Sequence, residues 1–335
     1  MQNSLMTIEQ LKSLPTSPGI DLGCLVRGEP QELNSFLGEL EVDIPFQGSL
    51  AKGHAYFILS DGNGRPRIDA FAQSLVNLVT EYAIPRSKIN EAFVEYERTK
   101  SPYAINALNR DAKNLFTELL KSGEGGELLL FWFAERILKL PQIICKMSLK
   151  TNSNMHIHGS DGIHADVDPE DGLLRLYWCE SKIYASVNQA VTSALNGIYN
   201  FLASPFSFGG TQDNDIRLLG DLSDLGDERI NDALKQFLDP QNPSFCSVKN
   251  CAICLVGGTS PSYANTSGTP QEILSQINES LRIELPRWLK HTNKKLKELK
   301  VEEFIIHIIY LPFPDADEFR AKFKAALVGV SHDEA

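Results

Sequence analysis

The sequence predicts an α/β protein with helices packed on a central sheet. Short apolar, β-branched runs bounded by Gly, Pro and Asn alternate with longer segments of helical period. The 335 residues are 42% apolar, ample for a packed interior and longer than one usual core, so two domains or one large decorated one are expected. A central apolar strand runs straight into an amphipathic helix and then a further strand. That strand ends in Glu180-Ser181-Lys182, and it organises the rest of the reading.

Composition narrows the function classes. The net charge of −11 is not the usual footprint of an isolated tight DNA binder. A nucleic-acid substrate therefore needs a local basic surface, a metal or a partner to overcome the repulsion. Six scattered cysteines do not make a disulfide framework. The opening MQNSLMTIEQLKSLP lacks the continuous apolar core of a signal peptide, and no run is long enough to span a bilayer. The expectation is a soluble cytoplasmic protein with no membrane partner.

Residues 1–105 read as an N-terminal α/β region without a catalytic constellation, and residues 106–335 as the domain that carries the chemistry. His54 to Asp61 is a short strand entering a Gly-Asn-Gly turn. Asp61, Asn63, Arg65 and Arg67 beside it are most simply a solvated hairpin tip. Ile68 to Ala83 has helical spacing at Phe71, Leu75, Leu78, Val79 and Tyr82, and Ile84-Pro85 ends it. Further helices are expected over Lys88–Thr99 and Tyr103–Leu120. The glycines of residues 121–127 then stop one helix and start the next. In that next helix, Glu127 to Leu140, Glu127 shares a face with Leu130, Phe131, Ala134 and Leu138. A first-turn carboxylate is favoured by the helix dipole, which explains an acid here but not its place on the core side. Glu127 is thus a candidate functional residue, with Glu124 as the alternative.

Pro141 to Thr151 reads as a strand. Asp161 follows in a Gly-rich turn, and the acids Asp166, Asp168, Glu170 and Asp171 read mostly as hairpin-loop residues. His164 is read as a local hydrogen-bonding residue. Ala185 to Leu202 is an amphipathic helix, and Ser204 to Asp239 an acidic, Gly-rich loop with short helical pieces, suited to an insertion or a partner contact. Ser247 to Gly258 is a strand. Its Cys251 and Cys254 fall on opposite faces with no second ligand pair downstream, which argues against zinc. Pro270 to Leu285 is helical up to Pro286, Arg287 to Lys300 is a separate basic helix, Phe304 to Leu311 a buried strand, and Asp315 to Val328 a closing helix.

Alternation along the central strand puts Leu174, Leu176, Trp178, Glu180 and Lys182 on one face and Cys179, Ser181 and Ile183 on the other. Two charges extending an apolar stripe need a reason, because burying an unpaired charge costs several kcal/mol. Phosphodiester hydrolysis supplies one. Asp161 and Glu180 are suited to hold Mg²⁺ or Mn²⁺ through oxygen, with the Ser181 carbonyl as a third donor and Glu127 reaching in from the neighbouring helix. Such a cation lowers the pKa of a bound water and stabilises charge on the phosphate. Lys182 is suited to orient that water and to stabilise the transition state.

This arrangement over roughly residues 110–258 resembles the PD-(D/E)xK, or restriction-endonuclease-like, nuclease superfamily. The resemblance implies a mixed β-sheet flanked by helices, here with an N-terminal α/β extension. It also implies catalytic roles for Asp161, Glu180, Lys182 and Glu127. Ser160 stands where the superfamily's name-giving Pro would precede Asp161. A closer resemblance lies in GEGGE (123–127), KMSLKTN (146–152), HGSDGIH (158–164) and ESKIY (180–184), taken in that order. These are similar to the nuclease subunit of the Hachiman anti-phage defence system (HamA-like). That resemblance implies a superfamily 2 helicase subunit as partner and DNA as substrate. The competing readings are a stand-alone restriction or repair nuclease, and a non-enzymatic interaction protein in which these charges form a structural ion-pair network.

Overall fold

A computed structural model of the chain describes residues 21–118, 123–145, 147, 160–203, 225–239 and 241–329. The protein is an α/β structure: a mixed six-stranded sheet flanked by helices, consistent with a restriction-endonuclease-like core. In chain order the elements are α1 (Gln31–Asn34), β1 (Leu37–Pro45), β2 (Lys52–Ile58), α2 (Ile68–Val76), α3 (Val79–Ala83), α4 (Arg86–Thr99), α5 (Tyr103–Glu118) and α6 (Glu124–Trp132). Then follow β3 (Gly162–Val167), β4 (Leu174–Tyr184), α7 (Val187–Ala203), α8 (Glu228–Leu238), β5 (Val248–Thr259), α9 (Pro270–Leu299), β6 (Ile306–Phe313) and α10 (Ala316–Val328).

The sheet order is β1-β2-β6-β5-β4-β3. Strands β2, β6, β5 and β4 run parallel, while β1 and β3 pair antiparallel at the two edges. The N-terminal strands thus share one sheet with the central strand, joined through β6. The parallel strands are covered on both faces, as such sheets require. On one face Tyr177, Cys179, Ile253, Leu255 and Ile309 pack with residues of α2, α3 and α6, together with Phe319 and Phe323 of α10. On the other face Cys254, Val256, Ile308 and Tyr310 pack under α7 and α9. Leu174, Leu176 and Trp178 continue that second face toward α8.

Several elements depart from the sequence reading. β1 was not expected, because two bulges, between Glu39 and Glu41 and between Glu41 and Ile44, break its alternation. The helix expected over Ile68–Ala83 is two helices, α2 and α3. A turn at Asn77-Leu78 divides them, and Leu75, Leu78, Val79 and Tyr82 are all buried in the core. Helix α6 starts at Glu124, so Gly125 and Gly126 lie inside its first turn and do not precede it. The helix then widens into a π-helical stretch, Phe133–Ile137. Pro286 does not break the chain into two helices: α9 runs unbroken through it. The ring is exposed, and Leu281, Leu285, Trp288 and Leu296 on both sides dock on one sheet face, which outweighs a lost backbone bond.

For the strand expected over 141–151, residues 141–145 carry only an isolated bridge from Gln142 to His164, and 146 and 148–151 lie outside the described residues. Residues 204–224 of the acidic loop and 152, 158 and 159 of the quoted motifs lie outside them as well. Among the described residues no helix is long and apolar enough to cross a membrane.

Candidate active site

The site forms where β4 ends beside β3. The β4–β3 pairing sets Gly162 against Cys179, so Asp161, the next residue out, stands beside Glu180. The Asp161 N–H donates to the Cys179 carbonyl at 2.8 Å, and the Ser181 N–H donates to Asp161 Oδ2 at 2.7 Å. Alternation on β4 is as the sequence predicts. Glu180 and Lys182 face α7, and Ser181 faces α6. Glu180 is buried, and Lys182 Nζ lies 2.5 Å from its Oε1.

Two glycines let helices come this close. A Cβ on Gly126 would stand 2.3 Å from Ser181 Oγ, and one on Gly197 would stand 2.9 Å from the Glu180 carboxyl carbon. Helix α6 therefore lies directly on Ser181 and α7 directly on Glu180. This contact brings Glu127, in the first turn of α6, to the rim of the site. Glu127 is half-buried and does not sit in the apolar core. The Tyr82 hydroxyl lies 2.9 Å from Glu127 Oε2 and 3.1 Å from the Asp161 carbonyl oxygen, its hydrogen shared between them. Nothing in the sequence marked Tyr82 beyond its apolar period; its role needs α3 folded against α6. Glu124, the alternative acid, is buried and borders a cavity between α6 and α10. That cavity, of about 320 Å³, is also lined by Gly125, Ser181, Phe319, Arg320 and Lys324.

The electrostatics tie the four candidate residues together. Burial, then the charges of Glu127 and Glu180, raise the Asp161 carboxyl from 3.8 to about 7, against the opposing Ser181 N–H and Lys182. Burial works against the charge on Lys182, but its hydrogen bond to Glu180 and the nearby carboxylates outweigh that and raise its pKa. Tyr82 is pushed well above its ordinary range by burial and by the same two acids, Glu127 and Asp161. Among the described residues no group of three or more His, Cys, Asp or Glu side chains stands ready-made around a metal position. The donors at hand are carboxylate oxygens, the type a hard divalent cation takes, and a cation would offset the charges of Glu127 and Glu180 that, after burial, raise Asp161. The residues present fit such an ion.

His164, Cys251, Cys254 and Asp61 have structural surroundings. The Leu140 carbonyl accepts from His164 Nδ1 at 2.7 Å, and burial holds that imidazole down at about 4. Cys251 and Cys254 lie in the cores on opposite faces of the sheet, and burial pushes both thiols up. Asp61 accepts the N–H groups of Asn63 and Arg65 and closes a turn. The sequence reading missed a buried ion network in the π-helical stretch. Glu135 binds Arg27 at 2.7 Å and Arg86 at 3.4 Å, and Arg136 binds Glu32 and Glu81. Burial pushes Glu135 upward, but Arg27 and Arg86 outweigh it and hold it below the usual carboxylate range.

No curated protein matches the chain. A family description, HamA, matches residues 35–327, which takes in every candidate residue above and all six strands of the sheet. A match of that breadth supports a role in Hachiman anti-phage defence, and the chain belongs to the HamA family.

Proposed function

We propose that the protein is a metal-dependent DNA endonuclease of the PD-(D/E)xK type, the effector subunit of a defence complex with a superfamily 2 helicase. The observation that carries this reading is the environment of Asp161. One carboxyl lies between two acids, its pKa raised to about 7, with Lys182 held on the same face as Glu180. A structural ion-pair network gains stability by matching charges. Here Glu127 and Glu180 both act on Asp161, and the oxygen donors gathered at this strand end are the type a hard divalent cation takes.

Asp161 and Glu180 would hold the ion, with the Ser181 carbonyl and Glu127 as further oxygen donors. Mg²⁺ commonly takes only one or two carboxylates and fills its shell with water and substrate phosphate, so this pair suffices. When bound, such an ion lowers the pKa of water to yield a nucleophile and offsets charge on the phosphate. Ser181 holds Asp161 in place through its N–H, and Tyr82 orients Glu127. Lys182 positions the attacking water and stabilises the extra negative charge of the transition state. Burial of Glu180 under Gly197 limits its rotamers and keeps the strand end in register.

The test is DNA cleavage by the full chain, alone and with its helicase partner, in Mg²⁺ and in EDTA. Glu180→Ala and Lys182→Ala should each abolish cutting while the far-ultraviolet spectrum is unchanged. Folded variants that still cut, or still protect cells against phage, would refute the mechanism.

A further inference from the structure

Helices α7 and α9 lie side by side on the sheet face that carries Glu180, and their buried sides share one core. Thr192 Oγ1 meets His291 Nε2 at 2.9 Å and joins them near the entry to α7. Their outward sides therefore form one continuous surface that starts at the candidate active site. On the site's flank of α7, Gly197 covers Glu180, and Ser193 Oγ lies 3.2 Å from the Tyr184 hydroxyl at the end of β4.

The two helices differ in charge. From Val187 to Ala203, α7 has no Asp, Glu, Lys or Arg, although 22% of the whole chain is charged. It exposes Gln189, Asn196, Tyr199 and Asn200. Beyond it, residues 287–299 of α9 hold five cations against the single acid Glu298. Arg287, Lys290, Lys294 and Lys297 follow spacings of three and four residues and are all exposed. Their stripe points away from the buried Trp288, Thr292 and Leu296. Glu298 pairs with Lys294 at 3.5 Å and with Lys295 at 2.5 Å. Among the described residues Arg287, Lys290 and Lys297 have no ion pair.

Deepening the nuclease reading, on which this inference rests, we propose that the outward faces of α7 and α9 form the track on which duplex DNA lies to reach Glu180 and Lys182. The stripe on α9 neutralises the phosphates of one strand. The uncharged face of α7 lets the strand to be cut pass without repulsion, its amides and hydroxyls donating to phosphate oxygens. The dimensions agree. Ten residues of helix span about 15 Å, a few base-pair steps, and packed helix axes stand about 8–10 Å apart. The stripe thus lies about one helix spacing beyond α7 from the site. Lysine-rich, aromatic-poor surface is also unlike the centre of a protein interface, which is depleted in Lys.

The experiment is fluorescence anisotropy of a short labelled DNA duplex with the full chain in EDTA, titrated at several salt concentrations. Replacing Arg287, Lys290, Lys294 and Lys297 by Gln together should weaken binding roughly ten-fold or more at physiological salt. It should also reduce the slope of log affinity against log salt by about 3. An independent variant, Gln189→Glu with Asn196→Glu, puts carboxylates on the uncharged face and should weaken binding with no cation removed. Arg110→Gln with Lys113→Gln on α5 should leave affinity unchanged. Duplex affinity and salt slope equal to wild type in both surface variants overturn the track. If the wild type meanwhile cuts DNA and Glu180→Ala does not, the nuclease reading stands without it. Wild-type protein that neither binds nor cuts DNA defeats both. Variants that keep duplex affinity but lose capture by a protein partner mark the surface as a protein interface and overturn the proposal.

Discussion

The Ser181 N–H donates to Asp161 Oδ2 at 2.7 Å, so the strand that carries Glu180 and Lys182 also holds the carboxyl from the neighbouring chain segment. A one-residue slip of β3 against β4 would break this bond and turn Glu180 and Asp161 away from each other. The site is therefore as rigid as the strand pairing beneath it. Glu127 and Glu180 raise the Asp161 carboxyl there, and that makes the site responsive to protons and cations.

The first prediction concerns Asp161 and metal. Its folded pKa of about 7 lies above the ordinary 3.8, so the native state favours the protonated acid. The associated stability is present below the unfolded value and is lost as pH rises through the folded one. A divalent cation should restore it where the carboxyl is ionised. Mg²⁺ should raise the melting temperature more at about pH 8 than at about pH 6, where protons compete. Asp161→Asn should remove the difference. An equal shift at both pH values, or an unchanged one in the variant, would count against metal binding here.

Gly197→Ala separates folding from geometry. Alanine is better than glycine in a helix interior by about 1 kcal/mol, so α7 itself does not suffer. The new methyl, however, would stand 2.9 Å from the Glu180 carboxyl carbon. DNA cleavage should fall roughly 10- to 100-fold, with a melting temperature within a few degrees of wild type. Full activity in this variant would detach Glu180's placement from the chemistry.

Glu127 and Tyr82 act on Asp161 from α6 and α3. Glu127→Gln removes one of the charges that raise the Asp161 carboxyl, so its pKa should move down toward 3.8, as read from the pH dependence of its carboxyl carbon resonance. Tyr82→Phe strips the hydroxyl from the Glu127 carboxylate and the Asp161 carbonyl and should cost about 1–3 kcal/mol in urea unfolding. An Asp161 resonance indifferent to Glu127→Gln would mean that the α6 acid is not part of the site.

His164 gives the opposite pH sign to Asp161. Burial holds its pKa at about 4, below the ordinary 6.5, so the folded protein keeps it neutral. Its contribution is full above 6.5 and is lost as pH falls toward 4, about 3 kcal/mol in all. His164→Gln retains a donor for the Leu140 carbonyl without titrating. Acid unfolding of that variant, followed by circular dichroism, should therefore be flatter over this window, and an unchanged profile would assign the acid sensitivity elsewhere.

Period and turn chemistry are local properties, and what depends on them is legible in the order of residues. The alternation of β4, with Glu180 and Lys182 on one face and Ser181 on the other, can be read residue by residue, as can the amphipathic stripe of α7 and the opposed faces of Cys251 and Cys254. Local pattern failed where packing overrode it. Bulges hid β1, a turn at Asn77 divided α2 from α3, sheet contact carried α9 through Pro286, and close approach to Phe323 and to Ser181 accompanies Gly125 and Gly126 inside α6. The chain order of Glu127, Asp161 and the Glu-Ser-Lys end of β4 marked the candidate site. It could not show what raises Asp161, because that depends on charges brought together through space and on the water they exclude. Tyr82 between Glu127 and Asp161, Gly197 over Glu180, and the joined outer faces of α7 and α9 are contacts between segments distant in sequence. Their meaning exists only once the sheet has set those segments side by side.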